Sequence, residues 1–186
     1  MKLKIAALVL GISVSHWANS QKIVRNFGFE YIDVKSQVIS WDFVNTKKEY
    51  NIDVDSSTAH SGKLSLSIKP KTDSSKDNGA ALLLTKLLYV TVRANQKVRI
   101  TAYAKSEKMT NGAAYIAVQL NGTTKVIDFK KSQPITKNDW ELYSVEILPT
   151  IDTQWIGFGG MTIGNGNVWF DDFNVYIDDV QVKDDL

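Results

Sequence analysis

The chain has 186 residues, with 22 Lys and Arg against 20 Asp and Glu, two histidines and no cysteine. A formal charge of +2 gives no electrostatic argument for nucleic acid or an anionic membrane as partner. The missing cysteines exclude a disulfide framework and thiol chemistry, and so few histidines leave a His-rich metal site or a Ser-His-Asp triad without parts.

Residues 1–20 read as a secretory signal peptide. Lys2 and Lys4 form its positive start, residues 5–14 an apolar stretch too short to span a bilayer, and Ala18-Asn19-Ser20 a small-x-small cleavage site before Gln21. The mature chain, residues 21–186, is expected to be exported to periplasm, cell surface or medium, without a transmembrane segment. It has one domain's worth of residues. Loss of the leader removes Lys2, Lys4 and His16, so His60 is then the remaining histidine.

The mature sequence shows no sustained helical period. Short alternating runs recur between turn signals, the pattern of an antiparallel sandwich or barrel. Leu64-Ser65-Leu66-Ser67-Ile68 alternates strictly and stops at Pro70. The polar stretch 69–79 reads as a loop, and 80–84 and 87–92 as core strands. In 98–105, Ile100, Ala102 and Ala104 share one face, with Thr101, Tyr103 and Lys105 on the other. In 113–120, Ala114, Ile116, Val118 and Leu120 oppose Tyr115, Ala117 and Gln119, and Asn121-Gly122 then reads as a hairpin turn. Runs at 140–148, 154–158 and 168–177 complete an all-β, antiparallel β-sandwich.

The last run, Val168-Trp169-Phe170-Asp171-Asp172-Phe173-Asn174-Val175-Tyr176-Ile177, sets two carboxylates in an apolar strand. Alternation places Trp169, Asp171, Phe173, Val175 and Ile177 on the core side and Phe170, Asp172, Asn174 and Tyr176 opposite. A buried carboxylate needs a partner, because burying it unpaired costs several kcal/mol or more. Asp171 is therefore expected to cap backbone amides, to pair with Lys63, or to bind a metal ion.

Four segments in order, Asn26-Phe27-Gly28-Phe29-Glu30, His60-Ser61-Gly62-Lys63-Leu64-Ser65-Leu66, Trp140-Glu141-Leu142-Tyr143-Ser144-Val145 and Val168-Trp169-Phe170-Asp171-Asp172-Phe173, resemble carbohydrate-binding modules of families four, nine and twenty-two. Those are galactose-binding-like jelly rolls. The chain also resembles the N-terminal β-sandwich domains of some exported bacterial hydrolases, which makes association with such a hydrolase an expectation. The resemblance spans about residues 24–179. It implies a structural calcium held by Glu30, Asp171 and the carbonyls of Ser61 and Lys63, a hard oxygen set of the kind calcium prefers. It also implies a first strand near 26–30 lying beside 168–177. An EF-hand is not present, since Asp53-Val54-Asp55-Ser56-Ser57 lacks the glycine and glutamate that such a loop needs.

Aromatic rings and fixed polar groups are what a sugar's apolar face and hydroxyls require. Tyr103 and Tyr115, opposite the aliphatic stripes of runs taken as neighbouring strands, are expected to share a concave glycan-binding face with Gln119, and Trp41 and Trp155 to line its edges. The alternative is that loops cover this face and the tyrosines are packing. Trp140 and Trp169 read as core, and His60 as structural. Adjacent Asp171 and Asp172 cannot flank one glycosidic bond, and Gly157-x-Gly159-Gly160 and Gly164-x-Gly166 precede no helix and cradle no phosphate. The sequence thus points to a non-catalytic module that binds polysaccharide or oligosaccharide; the rival is a structural or interaction sandwich without sugar affinity.

Overall fold

The computed structural model describes residues 25–34, 37–45, 49–71, 80–85, 88, 90–123 and 125–183. The signal peptide, residues 72–79 of the polar loop and the acidic residues 184–185 lie outside them. The described residues include no helix. They form strands β1 (Trp41–Asn45), β2 (Tyr50–Asp55), β3 (Ser65–Pro70), β4 (Ala80–Thr85), β5 (Val98–Asn121), β6 (Val126–Lys131), β7 (Glu141–Ile147), β8 (Trp155–Ile177) and β9 (Val180–Val182).

Two of these are far longer than the alternating runs suggest. The runs at 98–105 and 113–120 are one strand, β5, and those at 154–158 and 168–177 are one strand, β8. They pair antiparallel from Val98 opposite Ile177 to Asn121 opposite Trp155, with irregularities between Glu107 and Ala113. The bend there has a backbone cause. Lys108 and Asn111 hold φ of 55°, and Gly164 and Gly166 hold 86° and 130°. A Cβ on Gly112 would stand 1.9 Å from the Ile163 carbonyl oxygen, so the two chains touch where only glycine fits.

The bend divides the hydrogen-bonded ladder into two halves. In one, the first part of β5 lies between β7 and the last part of β8, which continues through β3 to β2. In the other, the second part of β5 lies between β6 and the first part of β8, which continues through β4 to β1. Val98, Ile100, Ala102 and Ala104 from one half of β5 and Ala114, Ile116, Val118 and Leu120 from the other enter the same buried cluster. Two sheets thus face each other across one core, which is the sandwich expected. Trp41, Phe29, Phe158 and Phe173 form its aromatic centre, with ring centroids 4.8–6.0 Å apart.

Several expectations are corrected here. Residues 26–30 form a turn and not a strand, with Phe29 at a φ of 62°. The turn nevertheless lies beside β8, since the Phe173 amide donates to the Phe27 carbonyl at 3.0 Å. Within 87–92, of which residues 87 and 89 lie outside the described residues, Leu88 and Val92 make isolated bridges to Ile156 and Thr153. Alternation also fails in β8. Asp171 and Asn174 are three positions apart, whereas their partners Tyr103 and Thr101 are two apart, so β8 carries an extra residue. Asp172, at a φ of 49°, takes up that bulge. Val168 and Phe170 therefore enter the core before the bulge, and Phe173 and Val175 after it. Trp169 and Asp171 both lie on the outer face.

Candidate functional site

Asp171 is fully buried without facing the core. What covers it is the turn at residues 60–64. Its Oδ2 accepts the backbone N–H of His60 at 2.9 Å and of Ser61 at 3.2 Å, and its Oδ1 accepts that of Asp172 at 2.8 Å. Glu30 holds the other end, with Oε1 accepting the N–H of Lys63 at 2.9 Å and of Leu64 at 3.0 Å. Lys63 thus engages Glu30 through its backbone. Gly62, at a φ of 60°, lies so close that a Cβ would be 2.4 Å from Glu30 Oε1. These contacts give the Ser-Gly-Lys spacing its physical reason, because two carboxylates grip consecutive amides on either side of a left-handed glycine.

Burial and the charge of Asp172 push the Asp171 carboxyl up to about 6, against the opposing pull of its three N–H donors. Asp172 Oδ2 stands 2.6 Å from His60 Nδ1, and its Oδ1 accepts the Ser61 hydroxyl at 2.9 Å. A desolvated carboxylate beside a second negative charge is an environment that a cation would relieve. Among the described residues no group of three or more His, Cys, Asp or Glu could hold a metal. A calcium here would therefore depend on Glu30 and Asp171 together with carbonyl oxygens, a donor type that calcium accepts.

The residues expected to share one glycan face are divided by the fold. Tyr103 pairs with Asp171 and Leu142 on the outer face of the β7-β5-β8-β3-β2 half, whereas Tyr115 pairs with Met161 on the outer face of the other half. They occupy one bent strand and point out of different sheets, so no single sugar ring stacks on both. The face around Tyr103 is taken up by the protein itself. The His60 ring stacks on Tyr103 at 3.5 Å and 12°, with Trp140 edge-on to His60 at 5.8 Å. Trp169 lies between Lys69 and Lys105, whose ammonium groups stand 5.1 and 5.2 Å from its ring. Its Nε1 donates to Asp55 Oδ2 at 2.8 Å. Asp55 is itself buried, which would raise its pKa, but hydrogen bonds from Ser57, Trp169 and Lys69 prevail and hold it well below the usual carboxylate range.

Trp41 also departs from the expected cleft edge. It is 4 % exposed, and its Nε1 donates to the Asn26 carbonyl at 2.7 Å inside the aromatic core. Its apolar neighbours in the core outweigh its place at the start of an outer strand.

Tyr115, Gln119 and Trp155 are brought together. Tyr115, Ala117, Gln119 and Asn121 of β5 pair in order with Met161, Gly159, Gly157 and Trp155 of β8, and paired residues share a face. Two glycines thus lie opposite Ala117 and Gln119, and together with Ala117 they form a buried floor between the rings. The Trp155 ring lies along that floor, 3.6 Å from where a Gly157 Cβ would sit. Gln119 Nε2 donates to Asn121 Oδ1 at 2.8 Å, which fixes the amide on the face. From β6, Phe129 pairs with Gln119 and Lys131 with Ala117. Phe129 is 44 % exposed, and the Lys131 ammonium lies 3.8 Å from the Tyr115 ring centroid. Sequence reading missed Phe129 and Lys131, although the hairpin at Asn121-Gly122 sets the register that puts them there.

No family model and no curated protein matches this sequence. Solved structures do. The CBM22-1 xylan-binding domain of Paenibacillus barcinonensis Xyn10C superposes with a TM-score of 0.56 at 15% identity, covering 81% of this chain and 91% of that one. The fold is that of the carbohydrate-binding jelly rolls. TmCBM61, solved with β-1,4-galactotriose, shares this jelly roll with a TM-score of 0.51 at 17% identity over 83% and 97% of the two chains. A cyclase from Fischerella sp. TAU has it as well, with a TM-score of 0.63 at 15% identity over 86% and 97%. The jelly roll therefore hosts both binding and catalysis, and the side chains on its outer faces must decide between them.

Proposed function

We propose that this jelly roll is an exported, non-catalytic glycan-binding module whose ligand lies across the outer face of the β6-β5-β8-β4-β1 half. The observation that carries this reading is the trough formed by Tyr115, Gln119 and Trp155 over Gly157 and Gly159. Two rings offer stacking surfaces, and an immobilised amide offers hydrogen bonds to hydroxyls. The xylan-binding domain and the module solved with β-1,4-galactotriose, both of similar fold, support the ligand class. Catalysis has less support. His60, the remaining histidine after leader cleavage, is engaged by Asp172 and stacked on Tyr103.

The same reading includes a structural calcium at Glu30 and Asp171, with the carbonyls of Ser61 and Lys63. Its role would be to neutralise the buried carboxylate and fasten the 60–64 turn to β8, far from the glycan face. A ligand bound only by the native state stabilises it with the logarithm of its concentration. Adding millimolar calcium to chelator-treated protein should therefore raise Tm, and Asp171→Ala should abolish the rise.

A glycan array and affinity electrophoresis on soluble polysaccharides test the binding reading. The wild type should bind, and Tyr115→Ala or Trp155→Ala should weaken binding while Tyr103→Ala does not. Failure of the wild type to bind any polysaccharide, soluble or insoluble, would transfer the reading to a structural or interaction domain, such as an accessory piece of an exported hydrolase.

A further inference from the structure

Lys131 determines what class of sugar the trough prefers, an inference that rests on the glycan-binding reading above. Its ammonium covers the outward face of Tyr115 at 3.8 Å, well within cation–π range. It occupies the surface on which a sugar ring would stack. A neutral sugar that displaces it loses the cation–π contact and gains nothing from the charge. A sugar bearing a carboxylate gains an ion pair with the same ammonium, moved aside by one rotamer.

The charges around this face leave Lys131 to the ligand. The paired outward positions of β5 and β8 are Tyr115, Ala117, Gln119, Asn121, Trp155, Gly157, Gly159 and Met161, none of them acidic. On β6, Asp128 has opposite parity to Lys131, and its Oδ1 accepts the Phe129 amide. Asp42 of β1 lies four strands from β6, about 19 Å at the usual strand spacing and beyond a Debye length at physiological salt. Among the described residues no ion pair holds Lys131, in contrast to Lys69 and Lys105, which pair with Asp55 and Glu107.

We propose that the trough selects acidic glycans, in which a uronate carboxylate pairs with Lys131 while the neighbouring ring stacks on Tyr115. Polygalacturonate, alginate and glucuronoxylan, each titrated against its carboxyl-reduced form by calorimetry on the full chain, supply the test. Wild type should bind at least one acidic form about three- to fivefold more tightly than the reduced form, the size of an exposed charge pair. Lys131→Gln should erase that preference and Lys131→Arg should keep it. The preference should also vanish in about 1 M NaCl, where the screening length falls to ~3 Å. Equal affinity for the two forms, or a preference that survives Lys131→Gln, overturns the inference and leaves the glycan-binding reading standing. Absence of binding to every form, together with the neutral polysaccharides tested above, overturns the reading itself.

Discussion

The outer faces of the two sheets carry similar kinds of residue and use them in opposite ways. Around Tyr103 the aromatic rings are occupied by the chain's own groups: His60 lies on Tyr103, Trp140 meets His60, and two lysines and Asp55 close around Trp169. Around Tyr115 the opposing strand offers Met161 and then two glycines, and the ring's visitor is one exposed lysine. Alternation along β5 turns both tyrosines outward, so local pattern does not separate them. What separates them is whether a loop from elsewhere in the chain, here residues 60–64, reaches the face.

The largest effect that could break this comparison is on the occupied face. Trp169→Ala removes a buried ring together with its bond to Asp55, and truncation of a large buried aromatic costs about 3 to 5 kcal/mol. Chemical denaturation should show a loss of that size. Trp155→Ala should leave the midpoint nearly unchanged, and a comparable loss from both would mean that the faces do not differ.

Next in size is the pH response of the turn. Asp171 has a folded pKa near 6, above its ordinary 3.8. Its protonated form is therefore favoured by folding, and the stability it contributes is complete below about pH 4 and lost as pH rises through 6. The metal-free chain should gain on the order of 2 kcal/mol between pH 7 and pH 4.5, and Asp171→Ala should flatten that slope. Asp55, held low by its hydrogen bonds, acts in the opposite sense, and its contribution disappears as pH falls below 4. A stability that falls steadily from pH 7 to pH 4.5 in the presence of chelator would contradict this ordering.

Affinity sharpens the contrast on the open face. Tyr115→Ala should weaken glycan binding by about 1 to 3 kcal/mol, taking base-on-aromatic stacking as the nearest analogue. Tyr103→Ala should cost stability instead, because it removes the surface beneath His60. The smallest effect is expected at Gly157. A Cβ there meets neighbours at 3.6 Å or more, so Gly157→Ala should be neutral or stabilise by about 0.4–1 kcal/mol. It should nevertheless shift the Trp155 ring that covers it and reduce affinity in calorimetry. Unchanged affinity would show that the ligand does not depend on the seat of that ring.

Much of the architecture was legible in the sequence because it rests on period-two patterning. The inward stripes Ile100, Ala102, Ala104 and Ala114, Ile116, Val118, Leu120 are core residues as their spacing implies. That the two runs form one strand was hidden. Glu107, Lys108, Asn111 and Gly112 look like a turn, and two left-handed residues do occur there, yet the ladder to β8 resumes beyond them. The same blindness put Tyr103 and Tyr115 on one face. The Asp171 environment was half legible: the need for partners followed from chemistry, but the one-residue bulge at Asp172 reverses parity without altering composition, and so moved Trp169 and Asp171 to the other side. Trp41 was misplaced because propensity near a strand edge carries no information about which aromatic rings gather in three dimensions. Lys131 was readable from hairpin register, which a reading confined to single strands does not use.

The long pairing of β5 with β8 also governs how the molecule comes into being. Both sheets are built on β8, whose partners lie at Val98 opposite Ile177 and at Leu66 opposite Phe170, roughly a hundred residues away in the latter case. Neither half can complete its ladder until residues 155–177 have been synthesised. Loop-closure entropy must be met before those contacts repay it, so folding belongs with the slow, non-local class that takes milliseconds to seconds. On the ribosome, the pairs β1-β4, β2-β3, β5-β6 and β5-β7 lie within reach before β8 emerges, but nothing joins them into two facing sheets until it does.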